Sequence, residues 1–124
     1  PYCIAVGFLD GDAGLGQFTD ERTQDAAARA LAGKVSFIVD PANPYPNQFT
    51  GHLRVTLKDG RVIEKRRANM RGGAHDPLTQ ADIIAKFRAN GRFGGWSDAQ
   101  TGAVEAAIVR IADGGAVDLS VAGA

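Results

Sequence analysis

The stretch Val55-Thr-Leu-Lys-Asp-Gly-Arg-Val-Ile-Glu64 decides the fold class, because it contains two short strands and the turn between them. Before the turn, apolar Leu53, Val55 and Leu57 alternate with polar residues, which is the pattern of a strand with one buried face, and residues 61–67 return as its partner. The central Asp-Gly pair is typical of a two-residue type I′ turn. Such a turn places Leu57 opposite Val62. The sequence therefore predicts an antiparallel β-hairpin.

Helical patterns flank this hairpin on both sides. Before it, the spacing of apolar residues predicts helices over residues 2–9 and 19–33, the latter in two short pieces. After it, Thr79 and Ser97 each begin a capping-box pattern that predicts a further helix. The sequence signals for the ends of these two helices are Asn90-Gly91 and Gly114-Gly115.

Residues 35–39 are apolar and β-branched, which predicts a third strand between the helices and the hairpin. Residues 117–124 are expected to form a frayed tail. The resulting order, α-α-β-β-β-α-α, predicts a single α+β domain over residues 1–124. We expect a small mixed or antiparallel sheet with the helices packed on one side.

The composition is that of an ordinary globular domain. Its 124 residues are 44% hydrophobic and 23% charged, and no apolar run approaches the ~20 residues that a membrane-spanning helix needs. Cys3 is the only cysteine, so neither an intrachain disulfide nor a cysteine-based zinc site can form. A lone cysteine in an apolar helical stretch is usually a small buried side chain. These features predict a reducing, cytoplasmic location.

A net charge of zero conceals a basic block in the middle of the chain. Residues 52–92 hold ten basic and four acidic residues, whereas the segments on either side each carry a net charge of −3. The block suggests an alternative function, a stand-alone binding module that contacts nucleic acid or an acidic partner through Lys65, Arg66, Arg67 and Arg71. A neutral chain with few aromatic residues for base stacking argues against nucleic acid. A basic, solvent-facing strand explains the same block without any partner.

The residues alone offer few catalytic arrangements. Neither His52 nor His75 has a histidine or carboxylate at helical spacing, so a metal site is not supported. The acidic run at residues 10–14 lacks the ligands of a calcium loop. The glycines of the same region follow a helix rather than a strand, which is the wrong context for dinucleotide binding. We therefore expect neither a metal nor a cofactor.

Several motifs together resemble the carboxy-terminal part of the MmgE/PrpD family. They are the hairpin sequence Val-Thr-Leu-Lys-Asp-Gly, the helix sequence that begins Pro77-Leu-Thr and ends Lys-Phe-Arg88, and the shorter matches Pro1-Tyr2, Leu9-Asp10-Gly11 and Gln17-Phe18. The resemblance runs from Tyr2 to about Leu119, and the hairpin and helix together make it specific. That family includes 2-methylcitrate dehydratase, cis-aconitate decarboxylase and iminodisuccinate epimerase.

The resemblance implies a lid-type α+β domain that closes over an active site on a large helical domain. The chain would then be the carboxy-terminal fragment of a larger enzyme, as its start at Pro1, inside a helical pattern, also leads us to expect. The parent enzyme would be a cofactor-free lyase or epimerase for small di- or tricarboxylates. Alone, the fragment would be inactive, because the family's other active-site residues would precede Pro1. Expected partners are the missing amino-terminal helical domain, the carboxylate substrate and a second copy in a homodimer, but no membrane.

One catalytic position carries over from the family, and it is Tyr2. A tyrosine in the first turn of a helix lies beside unpaired backbone N–H groups that favour a carboxylate. Its hydroxyl can donate a hydrogen bond or a proton to a carbanion that forms beside that carboxylate. The structural alternative is that Tyr2 simply begins the apolar face of the first helix.

The chain departs from the family at one place. Many members carry Gly-His before the Pro-Leu-Thr motif, where this chain has Gly72-Gly73. His75 lies nearby but out of register, so the resemblance gives it no role. No substrate-binding residue is assigned from the sequence, and the preferred carboxylate stays open.

Overall fold

A computed structural model describes residues 1–116 and residue 120 of the chain. In the described residues it confirms the α+β class. The frayed tail predicted at residues 117–124 lies outside the described residues, apart from residue 120. The helices and strands, with one 3₁₀ turn (Leu15–Phe18) between the first two helices, are α1 (Tyr2–Asp10), α2 (Asp20–Thr23), α3 (Ala26–Ala32), β1 (Gly51–Thr56), β2 (Val62–Arg67), α4 (Gln80–Phe93) and α5 (Asp98–Ala112).

The chain divides into two compact units. The first, here called the helical unit, comprises Pro1–Ile38 and the described part of Ile84–Ala124. It contains α1 to α3, α5 and most of α4. The second, here called the hairpin unit, is Val39–Ile83, and it contains β1, β2, the loops beside them and the start of α4.

In the helical unit, α1 packs against α3 through small side chains. Ala5 and Val6 of α1 and Ala28 of α3 are fully buried. α1 ends at Gly11, whose φ of 72° is a left-handed conformation that glycine adopts at little cost. α3 begins after Asp25, whose carboxylate accepts the N–H of Ala28 at 2.8 Å. The first helix and the divided second helix are therefore confirmed.

A second contact in the helical unit joins α4 to α5 and corrects the predicted end of α4. A Cβ atom at Gly91 would lie 2.9 Å from Oγ1 of Thr101, so only glycine allows this approach. The prediction that α4 ends at residues 90–91 is wrong, because the helix continues to Phe93 and is closed by Gly95 at a φ of 86°. The N–H of Trp96 donates to the Gly91 carbonyl, which completes the closing turn.

The hairpin forms, but its turn and register differ from the prediction. The N–H of Gly60 donates to the Leu57 carbonyl at 3.0 Å, and the Leu57 N–H donates to the Arg61 carbonyl at 2.8 Å. With Gly60 at a φ of 84°, this is a three-residue loop with a G1 bulge rather than a type I′ turn. The predicted pairing of Leu57 with Val62 is therefore wrong by one residue, and Val62 pairs with Thr56.

Residues 35–39 do not form the predicted third strand. In the described residues the sheet consists of β1 and β2 alone. The side chains of Phe37, Ile38 and Val39 are 84%, 81% and 74% exposed. β-branched residues favour an extended backbone, but a strand also needs a neighbour that pairs with its N–H and C=O groups. No such neighbour lies beside this segment within the described part of the chain.

Candidate functional site

Tyr2, the predicted catalytic residue, is the first residue of α1, and it is half-buried. Its hydroxyl donates a hydrogen bond of 2.6 Å to the backbone carbonyl of Gln17. Its ring meets the ring of Phe18 edge-on, with the two centroids 5.8 Å apart. Because Gln17 and Phe18 lie in the 3₁₀ turn, Tyr2 ties this turn to the start of α1.

The start of α1 leaves backbone donors free of the helical ladder. The first N–H to join the ladder is that of Ala5, which donates to the Pro1 carbonyl at 3.1 Å, and no side chain caps the helix. The N–H groups of residues 2–4 therefore precede the ladder, as at helix starts in general. Beside them, the Tyr2 hydroxyl gives its only proton to Gln17 and keeps acceptor capacity on its oxygen. Donation to a substrate requires the bond to Gln17 to open.

An ion-pair network holds the other end of α1. Arg22 places Nη2 2.6 Å from Oδ1 of Asp10 and Nη1 2.8 Å from Oδ1 of Asp25. The hydrogen bond from Arg22 holds the pKa of Asp10 below its ordinary value, and the same pair raises the pKa of Arg22. Asp10 also accepts the side-chain amide of Gln17 at 3.2 Å. Two carboxylates thus occupy the guanidinium, so Arg22 supports the turn that receives Tyr2.

Cys3, the neighbour of Tyr2, is exposed, so its predicted burial is wrong. α1 buries the side that carries Ala5 and Val6. Position 3 lies on a different side of the helix, because successive residues are turned by about 100°. Because α1 is apolar on most sides, its sequence does not indicate which side is buried and which is exposed.

The two histidines lie in the hairpin unit, and Tyr2 lies in the helical unit. His52 on β1 hydrogen-bonds through Nε2 to the carboxylate of Glu64 on β2. This contact, together with Arg54 at 3.6 Å and Arg66 at 3.4 Å, holds the pKa of Glu64 below its ordinary value. His75 lies in the loop that follows β2.

Most of the basic block is paired with acidic side chains. Arg67 contacts Asp76. Arg71 lies 2.6 Å from Asp82, whose pKa is held down chiefly by hydrogen bonds from Thr79 and further by Arg71. Among the four cations considered for nucleic-acid binding (Lys65, Arg66, Arg67 and Arg71), only Lys65 has no ion pair in the described structure. The block therefore keeps a net positive charge, but Arg66, Arg67 and Arg71 each have an acidic neighbour.

Two features are absent from the part of the chain that the structure describes. Within it, no group of three or more histidine, cysteine, aspartate or glutamate side chains is arranged to hold a metal ion. Its helices also include none with the length and apolar character needed to cross a bilayer.

Comparison with known proteins identifies the family. A sequence model of the MmgE/PrpD C-terminal domain matches residues 1–110. The chain belongs to the MmgE/PrpD family. This confirms the resemblance inferred from the hairpin and helix motifs.

Two cis-aconitate decarboxylases are similar to this MmgE/PrpD chain. The protein from Mus musculus is 33% identical over 91 residues, which cover 72% of this chain and 18% of the relative. The protein from Homo sapiens is 33% identical over 90 residues, which cover 72% of this chain and 19% of the relative. The chain therefore spans about a fifth of the length of the curated relatives it matches.

Sequence reasoning on this MmgE/PrpD domain led to Tyr2 but missed the acceptor of its hydroxyl. That acceptor is the backbone carbonyl of Gln17, and a backbone atom carries no side-chain signal. In the sequence, Gln17-Phe18 is only one of the short motifs that match the family. Its closeness to Tyr2 follows from the glycine-rich turn that reverses the chain after α1.

Proposed function

We propose that this domain is the lid-type carboxy-terminal part of a lyase or epimerase for small di- or tricarboxylates. The reaction is the gain or loss of a proton at a carbon next to a carboxylate, without a metal or cofactor, in a cytoplasmic enzyme. The family match over residues 1–110 and the similarity to two cis-aconitate decarboxylases support this class of chemistry.

Tyr2 carries the proposal at the level of the site. Its hydroxyl stands at a helix start where the N–H groups of residues 2–4 lie outside the helical ladder. Such groups favour a carboxylate. A substrate carboxylate bound there would compete with Gln17 for the Tyr2 hydroxyl. The hydroxyl would then stabilise negative charge beside the carboxylate.

The other catalytic groups belong to an amino-terminal helical domain in this proposal, and the whole enzyme is a homodimer. The domain by itself is then inactive, because the removal of most of a catalytic unit removes nearly all of its rate. Incubation of the chain with cis-aconitate should release no carbon dioxide. Turnover by the chain alone would contradict the proposal that the other catalytic groups lie in an amino-terminal domain.

The test of the Tyr2 site is an amide NMR titration of the chain with cis-aconitate. We expect saturable shifts at residues 2–4, weakened by roughly tenfold in affinity in Tyr2→Phe, since one charge-assisted hydrogen bond is lost. Tyr45→Phe is the matched control, because Tyr45 is the other tyrosine of the chain and its ring likewise meets a phenylalanine, Phe49, edge-on. Shifts that are absent in the folded chain, or unchanged in Tyr2→Phe, would refute a carboxylate site at Tyr2.

The alternative, a nucleic-acid module, is less favoured by the arrangement of charges. Arg66, Arg67 and Arg71 each lie within ion-pair distance of an acidic side chain. Their phosphate contacts would therefore have to replace existing ion pairs. RNA binding whose affinity falls steeply with added salt would favour this alternative over the lid.

A further inference from the structure

An open groove in the hairpin unit collects polar side chains that have no partner in the described structure. It has a volume of about 230 Å³ and is walled by the segments 47–49, 69–70 and 73–75. Asn47, Gln48, Asn69 and His75 are the polar residues among those that line it, and all but Asn69 are exposed. None of these four side chains makes a hydrogen bond or ion pair within the described residues. A groove whose lining residues carry several polar groups without a protein partner is a candidate ligand site.

One wall of the groove is a tight turn. The N–H groups of Asn47 and Gln48 both donate to the Pro44 carbonyl, at 2.9 and 3.3 Å. Behind them, the rings of Tyr45 and Phe49 meet edge-on with centroids 5.3 Å apart. These contacts fix the backbone from which the two amide side chains extend.

Another part of the lining is a loop closed by its own backbone. The N–H of Gly72 donates to the Asp76 carbonyl at 2.6 Å, and the N–H of Asp76 returns a bond of 3.2 Å to Gly73. Gly72 has a φ of 90°, a conformation that glycine tolerates best. The ion pair of Arg67 with Asp76 ties the loop to β2. His75 is therefore carried by a preformed loop, which lowers the entropic cost of binding.

The groups in the lining favour a small anion with a carbon chain. The lining contains no aspartate or glutamate, and its amide and imidazole groups all offer N–H donors. The hairpin unit as a whole has seven Lys and Arg against five Asp and Glu. Phe49 and Met70, which are 52% and 50% exposed, supply apolar surface beside these donors. The volume lies below the 300 to 1,000 Å³ typical of sites for drug-sized ligands.

We propose that this groove binds a small organic carboxylate. The amides of Asn47, Gln48 and Asn69 and the imidazole of His75 hold the carboxylate oxygens, and the carbon chain rests on Phe49 and Met70. The residues that line the groove belong to the hairpin unit, whereas Tyr2 belongs to the helical unit. The proposed groove site goes beyond the proposed function and does not depend on catalysis.

The experiment is an NMR titration of the chain with citrate, followed through the side-chain amide signals of Asn47, Gln48 and Asn69. Sulfate at the same ionic strength and glycerol serve as comparison ligands. We expect saturable shifts with citrate, weak unsaturated shifts with sulfate and none with glycerol. Equal responses to citrate and sulfate would mean general anion adsorption and would overturn the proposal. A response to glycerol alone would indicate a site for neutral hydroxyl compounds and would overturn it as well.

A pair of isosteric variants tests the placement of the site. Gln48→Glu puts a negative charge into the lining and should weaken citrate binding by at least tenfold, about 1.4 kcal/mol. Gln80→Glu is the matched control, because Gln80 is an exposed glutamine of the same unit that does not line the groove. The control should leave the affinity within about twofold, because an exposed charge outside the lining is screened by water and salt. Equal weakening in both variants would overturn the proposal.

The residues whose NMR signals shift on addition of citrate also distinguish the proposed groove site from the proposed site at Tyr2. Shifts confined to residues 2–4 would support the site at Tyr2 and refute the groove. Shifts confined to residues 47–49 and 69–75 would support the groove and leave the site at Tyr2 without support. His75→Gln, which keeps an N–H donor, should bind citrate better than His75→Ala if the imidazole holds the carboxylate. Equal affinities of these two variants would refute that role.

Discussion

At the last position of α1, Asp10 carries a negative charge where the helix dipole disfavours one. The structure offsets this with the bidentate contact from Arg22, through Nη2 at 2.6 Å and Nε at 3.2 Å. Gln17 adds a third donor to the same carboxylate. One residue therefore connects the end of α1, the turn that receives Tyr2, and α2.

Replacing Asp10 by asparagine should lower the stability of the chain near neutral pH but not in acid. The pKa of Asp10 is depressed in the folded state, so its contribution is fully present above the unfolded pKa of about 4. That contribution is lost as the pH falls through the folded pKa. Urea midpoints of the chain and of Asp10→Asn, measured near pH 7 and near pH 3, should therefore converge in acid.

Glu21→Gln is the control for this experiment, because Glu21 is an exposed acid of α2 for which the structure shows no ion pair. It should change the midpoint little at either pH. A difference between the chain and Asp10→Asn that does not shrink at all as the pH falls below about 4 would show that the ion pair with Arg22 is not the cause.

At the scale of elements, the loop conformation and the contacts between helices decide the hairpin register and the helix ends, which the periodicity of apolar residues does not. The capping box at Ser97 formed as predicted, with its hydroxyl accepting the Gln100 N–H at 3.2 Å. This prediction succeeded because every atom involved lies within four residues. The hairpin register was predicted wrongly because it depends on the bulge at Gly60, which the alternation of apolar residues does not reveal. The end of α4 was predicted wrongly because Gly91 serves a close contact with Thr101 of α5 and does not end the helix.

The bulge at Gly60 can be tested directly. Gly60→Ala should lower the free energy of unfolding by about 1–2 kcal/mol, since a Cβ atom is disfavoured at positive φ. Lys58→Ala, an exposed change in the same loop, should be close to neutral. Thermal unfolding of both variants measures the difference. Equal effects would show that the loop does not keep Gly60 in this conformation.

The contact between α4 and α5 predicts opposite effects for two glycines. Gly91→Ala should lower the free energy of unfolding by about 1–3 kcal/mol, because its Cβ would meet Thr101, which is 2% exposed and hydrogen-bonded to Ser97. Gly102→Ala should raise it by up to about 1 kcal/mol, because a Cβ there has open space and alanine favours the helix. Chemical denaturation of both variants tests this. Stabilisation by both changes would contradict the close approach of the two helices.

At the scale of the whole molecule, the described structure leaves large apolar side chains in contact with solvent. In the helical unit they include Phe8 at 57% and Phe18 at 49% exposure, and α1 is apolar on several sides. A helix that is hydrophobic all round is usually buried in a larger assembly. The exposed faces thus agree with the proposal that another domain packs on this one.

We expect the chain to bind an apolar dye and to self-associate as its concentration rises. Phe8→Gln should reduce both effects, because it removes one of the exposed rings from α1. Lys58→Gln serves as the control on a polar surface position. Light scattering after gel filtration and dye fluorescence are the measurements. A monomer at all concentrations without dye binding would contradict an uncovered apolar surface.

The sequence by itself determined the α+β class, the family, the positions of the helix starts and the presence of a hairpin. Each of these depends on signals that lie close together in the chain, such as Thr79 with Asp82 or the alternation within β1. It also singled out Tyr2, through its resemblance to a family rather than through any local pattern.

Only the tertiary structure decided which atoms meet over longer distances. It showed that the Tyr2 hydroxyl is held by Gln17, that α4 continues past Gly91, and that Asn69 and His75 line one groove with Gln48. It also showed that residues 35–39 lack a strand partner in the described chain. A residue's preference for extended backbone and its capacity to donate hydrogen bonds are properties of that residue alone. Whether a strand finds a partner, or distant residues line one groove, depends on where the rest of the chain lies.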